Sequence, residues 1–456
     1  MGQTILFSPI GGTDPIASST EYDGSMLHIC RYYRPDKVYL FLSNEMFVRQ
    51  ENDDRYRLCI QKLGDKIKHK FDVECIEAAD LFEVQDYDEF YKRFKPIIHS
   101  IQQGMSESDR LIVNIASGTP AMKSTLLMFA VMSEGQIIPV QVSTPEKTIN
   151  FHAGKDDDTY DVEYYWNNNM DNLDGAENRC KEVDCPSLTA ILKKNILIRQ
   201  VHSYNYAAAL MLGDEIREYI SDDAYHMLEL AVARVQLNLN EVTRISKKYN
   251  FDVMPVKESG KNIIFEYALT LYVKMYRKEY GDFMRAVSPL LTDIFVAILR
   301  YDCKIDIYKY CDEQRNGDCK LVIGKLNQDP TGREILETLN NCDDFKGNYK
   351  DSSLAAGNLK PILLHFLRDE TVKKSVSDMR DIEYKIRNMA AHQIVSITDE
   401  TVKTLTQEKI GSPMTVKQIF DEIKKLVVAA KVPIKKEYWK SYDVMNDQIE
   451  EMLTSM

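Results

Sequence analysis

The 456-residue sequence lacks any apolar run long enough to cross a bilayer. Its longest stretches, such as Leu126–Met132 and Ile294–Leu299, fall far short of the roughly 20 residues a spanning helix needs. The opening Met-Gly-Gln-Thr-Ile-Leu has neither a basic segment nor a cleavage site, and Leu6 breaks the myristoylation pattern, so no membrane contact is expected and the compartment reads as cytoplasm. There is no CxxC pair. Nine cysteines, an odd number, fit cytosolic thiols better than a disulfide framework. Cys303, Cys311 and Cys319 are evenly spaced without a nearby histidine, and the run Asp156-Asp-Asp158 suits a solvated turn, so no metal is expected. Neither GxGxxG nor GxxxxGK[ST] occurs, which disfavours dinucleotide and NTPase chemistry. A positive excess is also missing. Lys+Arg 58 against Asp+Glu 70 gives −12, excluding a protein that coats nucleic acid by bulk charge.

What is present falls into two parts. Residues 1–172 carry 17 basic and 27 acidic side chains, leaving 41 against 43 in the rest, so a polyanion would be met in the second half. Five strands rich in Val, Ile, Leu and Phe are expected at Gln3–Ser8, Lys37–Ser43, Asp72–Glu77, Arg110–Ala116 and Gln136–Ser143. Helices between them are expected at Glu21–Tyr33, Met46–Lys70, Asp86–Gln103 and Pro120–Glu134, with one more strand at Thr159–Tyr165. Strands alternating with helices imply an α/β domain with a parallel sheet covered on both faces. After a polar linker near Asn167–Gly175, the apolar spacing is helical almost to the end. Val416, Ile419, Phe420, Ile423, Leu426 and Val427 form one stripe, and Thr415 with Gln418 reads as a capping box before it. The fold class is therefore α/β followed by all-α.

Two loops stand where a parallel sheet places its ligand crevice, beyond the carboxyl ends of the strands. The first is Pro9-Ile-Gly-Gly-Thr-Asp-Pro15; the second is Ser117-Gly-Thr-Pro-Ala-Met-Lys123. In the second, Gly118 allows close backbone approach, Thr119 suits an N-cap, and Pro120 suits the first helical position. Free N–H groups at that helix start favour a phosphate, and Lys123 lies one turn on. A plain capped turn explains the same residues. Near the C-terminus, Arg387-Asn-Met-Ala-Ala-His392 has the form R-x4-H. With 8 histidines and 20 arginines, chance alone predicts roughly a third of such a match, so the spacing proves little by itself. Five residues turn a helix by roughly 500°, leaving Arg387 and His392 about 140° apart. Either the helix ends between them or a second copy completes the site. On the motif alone, a surface arginine near a helix-packing histidine is the commoner reading.

Taken together, Ile5-Leu-Phe-Ser-Pro-Ile-Gly-Gly-Thr-Asp-Pro15, Ser117–Lys123 and Arg387–His392 resemble the CRISPR-associated CARF–HEPN ribonucleases of type III systems, the Csm-type ancillary nucleases in particular. The resemblance covers the whole length, although Ser117-Gly-Thr-Pro has one glycine where many CARF relatives have two. It implies a Rossmann-like CARF domain over 1–172, a helical connection over 185–280 and a HEPN domain over 281–456. It further implies a homodimeric, metal-independent endoribonuclease acting on single-stranded RNA without stable association with the effector complex. Cyclic oligoadenylate, expected to be the hexa-adenylate, would be the allosteric activator, with no other cofactor. The implied catalytic residues are Arg387, Asn388 and His392, leaving a 2′,3′-cyclic phosphate and a 5′-hydroxyl. The implied activator contacts are Gly11, Gly12, Thr13, Asn114, Ser117, Gly118, Thr119 and Lys123, and slow cleavage of the activator is an open possibility of the same loops. Lys417, Lys424, Lys425, Lys431, Lys435 and Lys436 offer a positive field for RNA, although solvated helix faces explain them as well. The rival expectation is a CARF-type sensor whose helical half only binds a partner.

Overall fold

The computed structural model describes residues 2–133, 137–145, 160–314, 317–343, 345, 347–392 and 396–455, with the side chains of 386–392 outside that description. The chain divides into two units, Met1–Ile191 and Leu192–Met456. In the first, β1 (Thr4–Pro9), α1 (Ser25–Tyr33), β2 (Lys37–Ser43), α2 (Asn44–Asp53), α3 (Arg55–Ile67) and β3 (Asp72–Ala78) follow in order. Then come α4 (Tyr87–Gln103), β4 (Arg110–Asn114), α5 (Pro120–Met132), β5 (Ile137–Val142), α6 (Val162–Asn168) and β6 (Cys180–Glu182). The sheet runs β3-β2-β1-β4-β5-β6, parallel except for β6, which pairs antiparallel to β5.

Strand alternation sends neighbouring residues to opposite faces. Leu6, Val38, Leu40 and Ile112 pack with Met26, Ile29, Ile60 and Leu63 of α1 and α3. Phe7, Phe41, Leu111 and Val113 pack with Phe90, Phe94 and Ile98 of α4 and Met122 and Leu126 of α5. Phe94 meets Phe7 and Phe41 edge-on, at ring-centre distances of 5.3 and 5.0 Å. The five parallel strands thus lie where their apolar runs indicate. Two expectations fail. Instead of a strand over Thr159–Tyr165, residues 162–168 form α6, because Asp161 caps the helix by accepting from the Tyr164 N–H. The sixth strand comes later, from Cys180. The single helix expected over Met46–Lys70 is two, broken at Asp54 (φ 50°), a residue type that tolerates the left-handed region. The triple Asp at 156–158 lies outside the described residues.

The second unit contains α7 (Pro186–His202, beginning in the first), α8 (Tyr206–Glu215), α9 (Asp222–Val235), α10 (Leu239–Tyr249), α11 (Lys261–Tyr276) and α12 (Tyr280–Tyr301). After these, β7 (Cys311–Glu313), β8 (Cys319–Leu321), α13 (Ile323–Leu326), α14 (Pro330–Asn340) and β9 (Ser352–Ser353) enclose a small antiparallel sheet that the helical periodicity did not announce. Strands of two or three residues are too short to show a period of two. The unit ends with α15 (Ala356–Phe366), α16 (Glu370–His392), α17 (Asp399–Ile410), α18 (Val416–Ala429) and α19 (Ser441–Thr454). The capping box before α18 is present: the Gln418 N–H donates to Thr415 Oγ1 at 3.2 Å, and Thr415 N–H donates to Gln418 Oε1 at 2.8 Å. All six residues of its stripe are buried. A buried Arg234–Glu266 pair, 2.9 Å apart, joins α9 to α11, and Arg234 also donates to Ser441 Oγ of α19. Among the described residues, no helix is long and apolar enough to cross a membrane.

Candidate functional site

Sheet order alone creates a crevice. From β1 the chain crosses to β2 on one side, whereas β4 leads to β5 on the other, so the loops after β1 and β4 meet at the switch point. They meet closely: a Cβ on Gly11 would lie 2.8 Å from the Gly118 nitrogen and 2.9 Å from Ser117 Oγ. Gly118 adopts φ +79°, where a side chain would also strike Met122 Sδ at 2.7 Å. Thr119 caps α5 through its Oγ1, accepting from the Met122 N–H at 3.4 Å, and Pro120 occupies the first helical position. Gly12 and Thr13 are exposed at the rim, while Thr119 and Lys123 are half-buried.

The residue that ties these loops together is Asp14, fully buried between them. Its Oδ2 accepts from the Gly11 N–H at 3.1 Å and from the Ser117 hydroxyl, and its Oδ1 accepts from the Met26 N–H at the start of α1 at 3.0 Å. Burial holds its carboxyl above the usual range, opposed by these hydrogen bonds and by the charge of Lys123. Burial likewise holds the Lys123 ammonium below its usual value, with Asp14 opposing. Asp14 was not among the activator contacts expected from the first loop; an Asp three residues after the glycine whose N–H it accepts is the signal that could have singled it out. Asn114 lies beneath the crevice. Its amide donates to Ser8 Oγ at 2.9 Å and Ser25 Oγ at 3.0 Å, and its oxygen accepts from the Ala116 N–H at 2.9 Å, so it holds the loop from below. Ser117, also buried, spends its hydroxyl on Asp14.

Behind α1 lies a second buried polar cluster, Asp23, His28 and Asp171, with ligand atoms within 4.8 Å of one another. Arginines already occupy it. Arg31 donates to both Asp23 oxygens, at 2.7 and 3.1 Å, and Arg179 donates to Asp171 Oδ2 at 2.5 Å. His28 Nε2 accepts the Arg179 backbone N–H at 3.0 Å. For Asp171, burial works upward, yet the His28 hydrogen bond and the Arg179 charge hold the carboxyl below its usual range. This network fastens the segment around 169–179 to α1.

In the second unit, Arg387, Asn388 and His392 all lie on α16, which packs against α12, α15, α17 and α18. The helix runs unbroken through His392. It does not end between the arginine and the histidine, so positions 387 and 392 point about 140° apart around one axis. The side chains themselves are outside the description. The expected lysine field on and after α18 is partly neutralised: Lys424, Lys425 and Lys431 sit 2.9, 2.7 and 3.0 Å from Asp421, Glu422 and Asp302. Burial pushes the Cys303 and Cys311 thiols up to about 11.

Comparison with known proteins bears on both units. Family models match over three segments: the Csm6 CARF domain at residues 72–180, the CRISPR-associated protein Csm6 6H domain at 183–235, and the Csm6 HEPN domain at 253–450. Over 400 residues the chain is 30% identical to the CRISPR system endoribonuclease Csm6 of Mycobacterium tuberculosis, covering 87% of this chain and 89% of that one. This chain belongs to the Csm6 family. It is an endoribonuclease with a CARF and a HEPN domain. Two further Csm6 relatives are 27% identical over 331 residues (Enterococcus italicus; 65% of this chain, 74% of that one) and 23% over 461 (Streptococcus thermophilus; 98% and 99%). Among solved structures, Enterococcus italicus Csm6 bound to cyclic hexa-2′-fluoro-hexa-dAMP superposes with a TM-score of 0.63 at 18% identity, covering 99% of this chain and all of that one. That likeness bears on the fold: the Csm6 arrangement of a mostly parallel sheet followed by a mostly helical region is the one seen here.

Proposed function

We propose that this Csm6 relative is a homodimeric, metal-independent nuclease of single-stranded RNA, switched on by cyclic hexa-adenylate held between two CARF domains. The proposed domains are CARF over 1–172, a helical connection over 185–280 and HEPN over 281–456. The observation that carries the composite catalytic centre is the unbroken α16. Arginine and histidine on diverging faces of one helix make a compact site only when a second copy supplies the missing partner. In that centre the ribose 2′-hydroxyl attacks the adjacent phosphorus and the 5′-oxygen leaves, giving a 2′,3′-cyclic phosphate and a 5′-hydroxyl. His392 moves protons, since imidazole titrates near neutral pH. Arg387 stabilises the phosphorane with a planar, permanently charged fork, and Asn388 orients it.

For the activator, Gly11, Gly12 and Gly118 give backbone access, while Thr13, Thr119 and Lys123 make the polar contacts. Asn114 and Ser117 act from beneath, by holding the loops. A six-membered adenylate ring is supported by the cyclic hexanucleotide bound to the Enterococcus italicus protein. Slow in-line cleavage of the ring by the same crevice would limit the response, since positioning alone lowers a barrier by several kcal/mol. The test is RNA cleavage with and without cyclic hexa-adenylate, in EDTA. Turnover should require the ring and survive chelation; constitutive cleavage or a strict need for divalent metal would overturn the proposal. Incubating the ring with His392→Ala protein tests self-limitation, and a ring still intact after many hours defeats it.

A further inference from the structure

A cavity of about 450 Å³ opens beside α16, lined by Phe345, Lys360, Arg380, Asp381, Tyr384 and Lys409 among others. That volume is within the roughly 300–1,000 Å³ of small-ligand sites. Three cations line it against one carboxylate, in a chain whose net charge is −12. The lining divides into a held part and an exposed part. Arg380 is held: it pairs with Glu383, which is buried and accepts from Ser288, and its guanidinium lies 5.1 Å from the Tyr384 ring centre. Gly357 on α15 makes room for it, since a Cβ there would come within 3.1 Å of Arg380 Nη2. Lys360 bonds Asp381 at 3.0 Å. Beyond that contact with Arg380, Tyr384 leaves 53% of its surface exposed, and Lys409 is exposed with no acidic partner among the described residues.

Helix register connects this cavity to the reaction. Positions 380, 384, 387 and 388 are spaced i, i+4, i+7 and i+8, one stripe along α16. Arg380 stands about 10 Å down the axis from position 387, and Tyr384 one turn from it. An aromatic face beside a paired guanidinium and an exposed lysine is the chemistry that receives one nucleotide of a single strand: the base stacks and the phosphate finds cations. We propose that this cavity is a substrate subsite, in which a nucleotide next to the scissile phosphate stacks on Tyr384 while Arg380 and Lys409 take its phosphate. The subsite rests on the placement of the scissile phosphate at Arg387. Stacking makes it tolerant of base identity.

The test uses the full chain saturated with cyclic hexa-adenylate and a fluorescent 2′-O-methyl oligonucleotide, read by anisotropy. Tyr384→Ala should raise the Kd about ten-fold, the loss of one base stack, while Tyr384→Phe stays within about two-fold. Lys409→Glu should weaken binding several-fold and flatten its salt dependence. With cleavable RNA, Tyr384→Ala should raise KM more than it lowers kcat, with activator affinity and melting temperature unchanged. An unchanged Kd in Tyr384→Ala, or an equal loss in Tyr384→Phe, overturns the subsite. Failure of the catalytic placement would show differently, as cleavage that survives Arg387→Ala.

Discussion

Asp14 and Lys123 show how single side chains set the activator crevice. The Asp14 carboxylate gathers two loops and the start of α1 through three hydrogen bonds, so its loss should loosen the crevice without touching RNA chemistry. Asp14→Asn keeps the shape but removes an acceptor; the activator concentration for half-maximal cleavage should rise about ten-fold, with the maximal rate preserved. Its pH dependence has a definite sign. A carboxyl raised in the folded state contributes stability that is full below its unfolded value, about 3.9, and lost as pH rises through the folded one. Denaturant melts of the first unit from pH 4 to 8 should therefore show Asp14→Asn gaining relative to the parent as pH rises; a constant difference would contradict the burial argument. Lys123→Ala should likewise demand more activator while the rate at saturation changes little. A lowered maximum at unchanged affinity would place Lys123 outside the binding site.

Among elements, α18 and α16 behave differently although both lie in the helical unit. α18 has a capping box at one end and six buried apolar residues in one stripe, so its boundaries and its inner face follow from local sequence. Thr415→Ala removes the cap and should cost about 1 kcal/mol of stability. Trp439, whose ring centre lies 5.6 Å from that of Phe420 on α18, reports the change by fluorescence in a Trp166→Phe background. An unchanged urea midpoint would mean that the cap is idle. α16 buries Val376, Met379 and Ile382 but also Glu383, a carboxylate held by Arg380 and Ser288. A polar residue on the buried face is what tertiary pairing permits and periodicity alone does not anticipate.

At the scale of the whole molecule, the composite centre makes a prediction that single variants cannot. Arg387→Ala and His392→Ala should each abolish RNA cleavage while melting and activator affinity are retained. Mixed and allowed to exchange, the two inactive proteins form heterodimers in which one intact arginine faces one intact histidine across the two-fold axis. Activity should return to about a quarter of the parent's, since half the dimers are mixed and each carries one complete pair of two. No recovery after proven exchange would locate the whole centre within one copy. The parallel strands, the Thr119 and Thr415 caps, the glycine loops and the R-x4-H motif were all legible in the sequence, because each depends on residues close together along the chain. Beyond that reach lay the break at Asp54, the antiparallel strand from Cys180, the short sheet around Cys311 and Cys319, and the cavity joining Phe345 to Lys409. Periodicity, caps and turn residues are local physics, and this sequence determined them by itself. Which buried carboxylate meets which arginine, and which loop closes on Asp14, was decided only by the tertiary structure, because burial and pairing join segments far apart along the chain, 148 residues for Asp23 with Asp171 and 207 for Arg234 with Ser441.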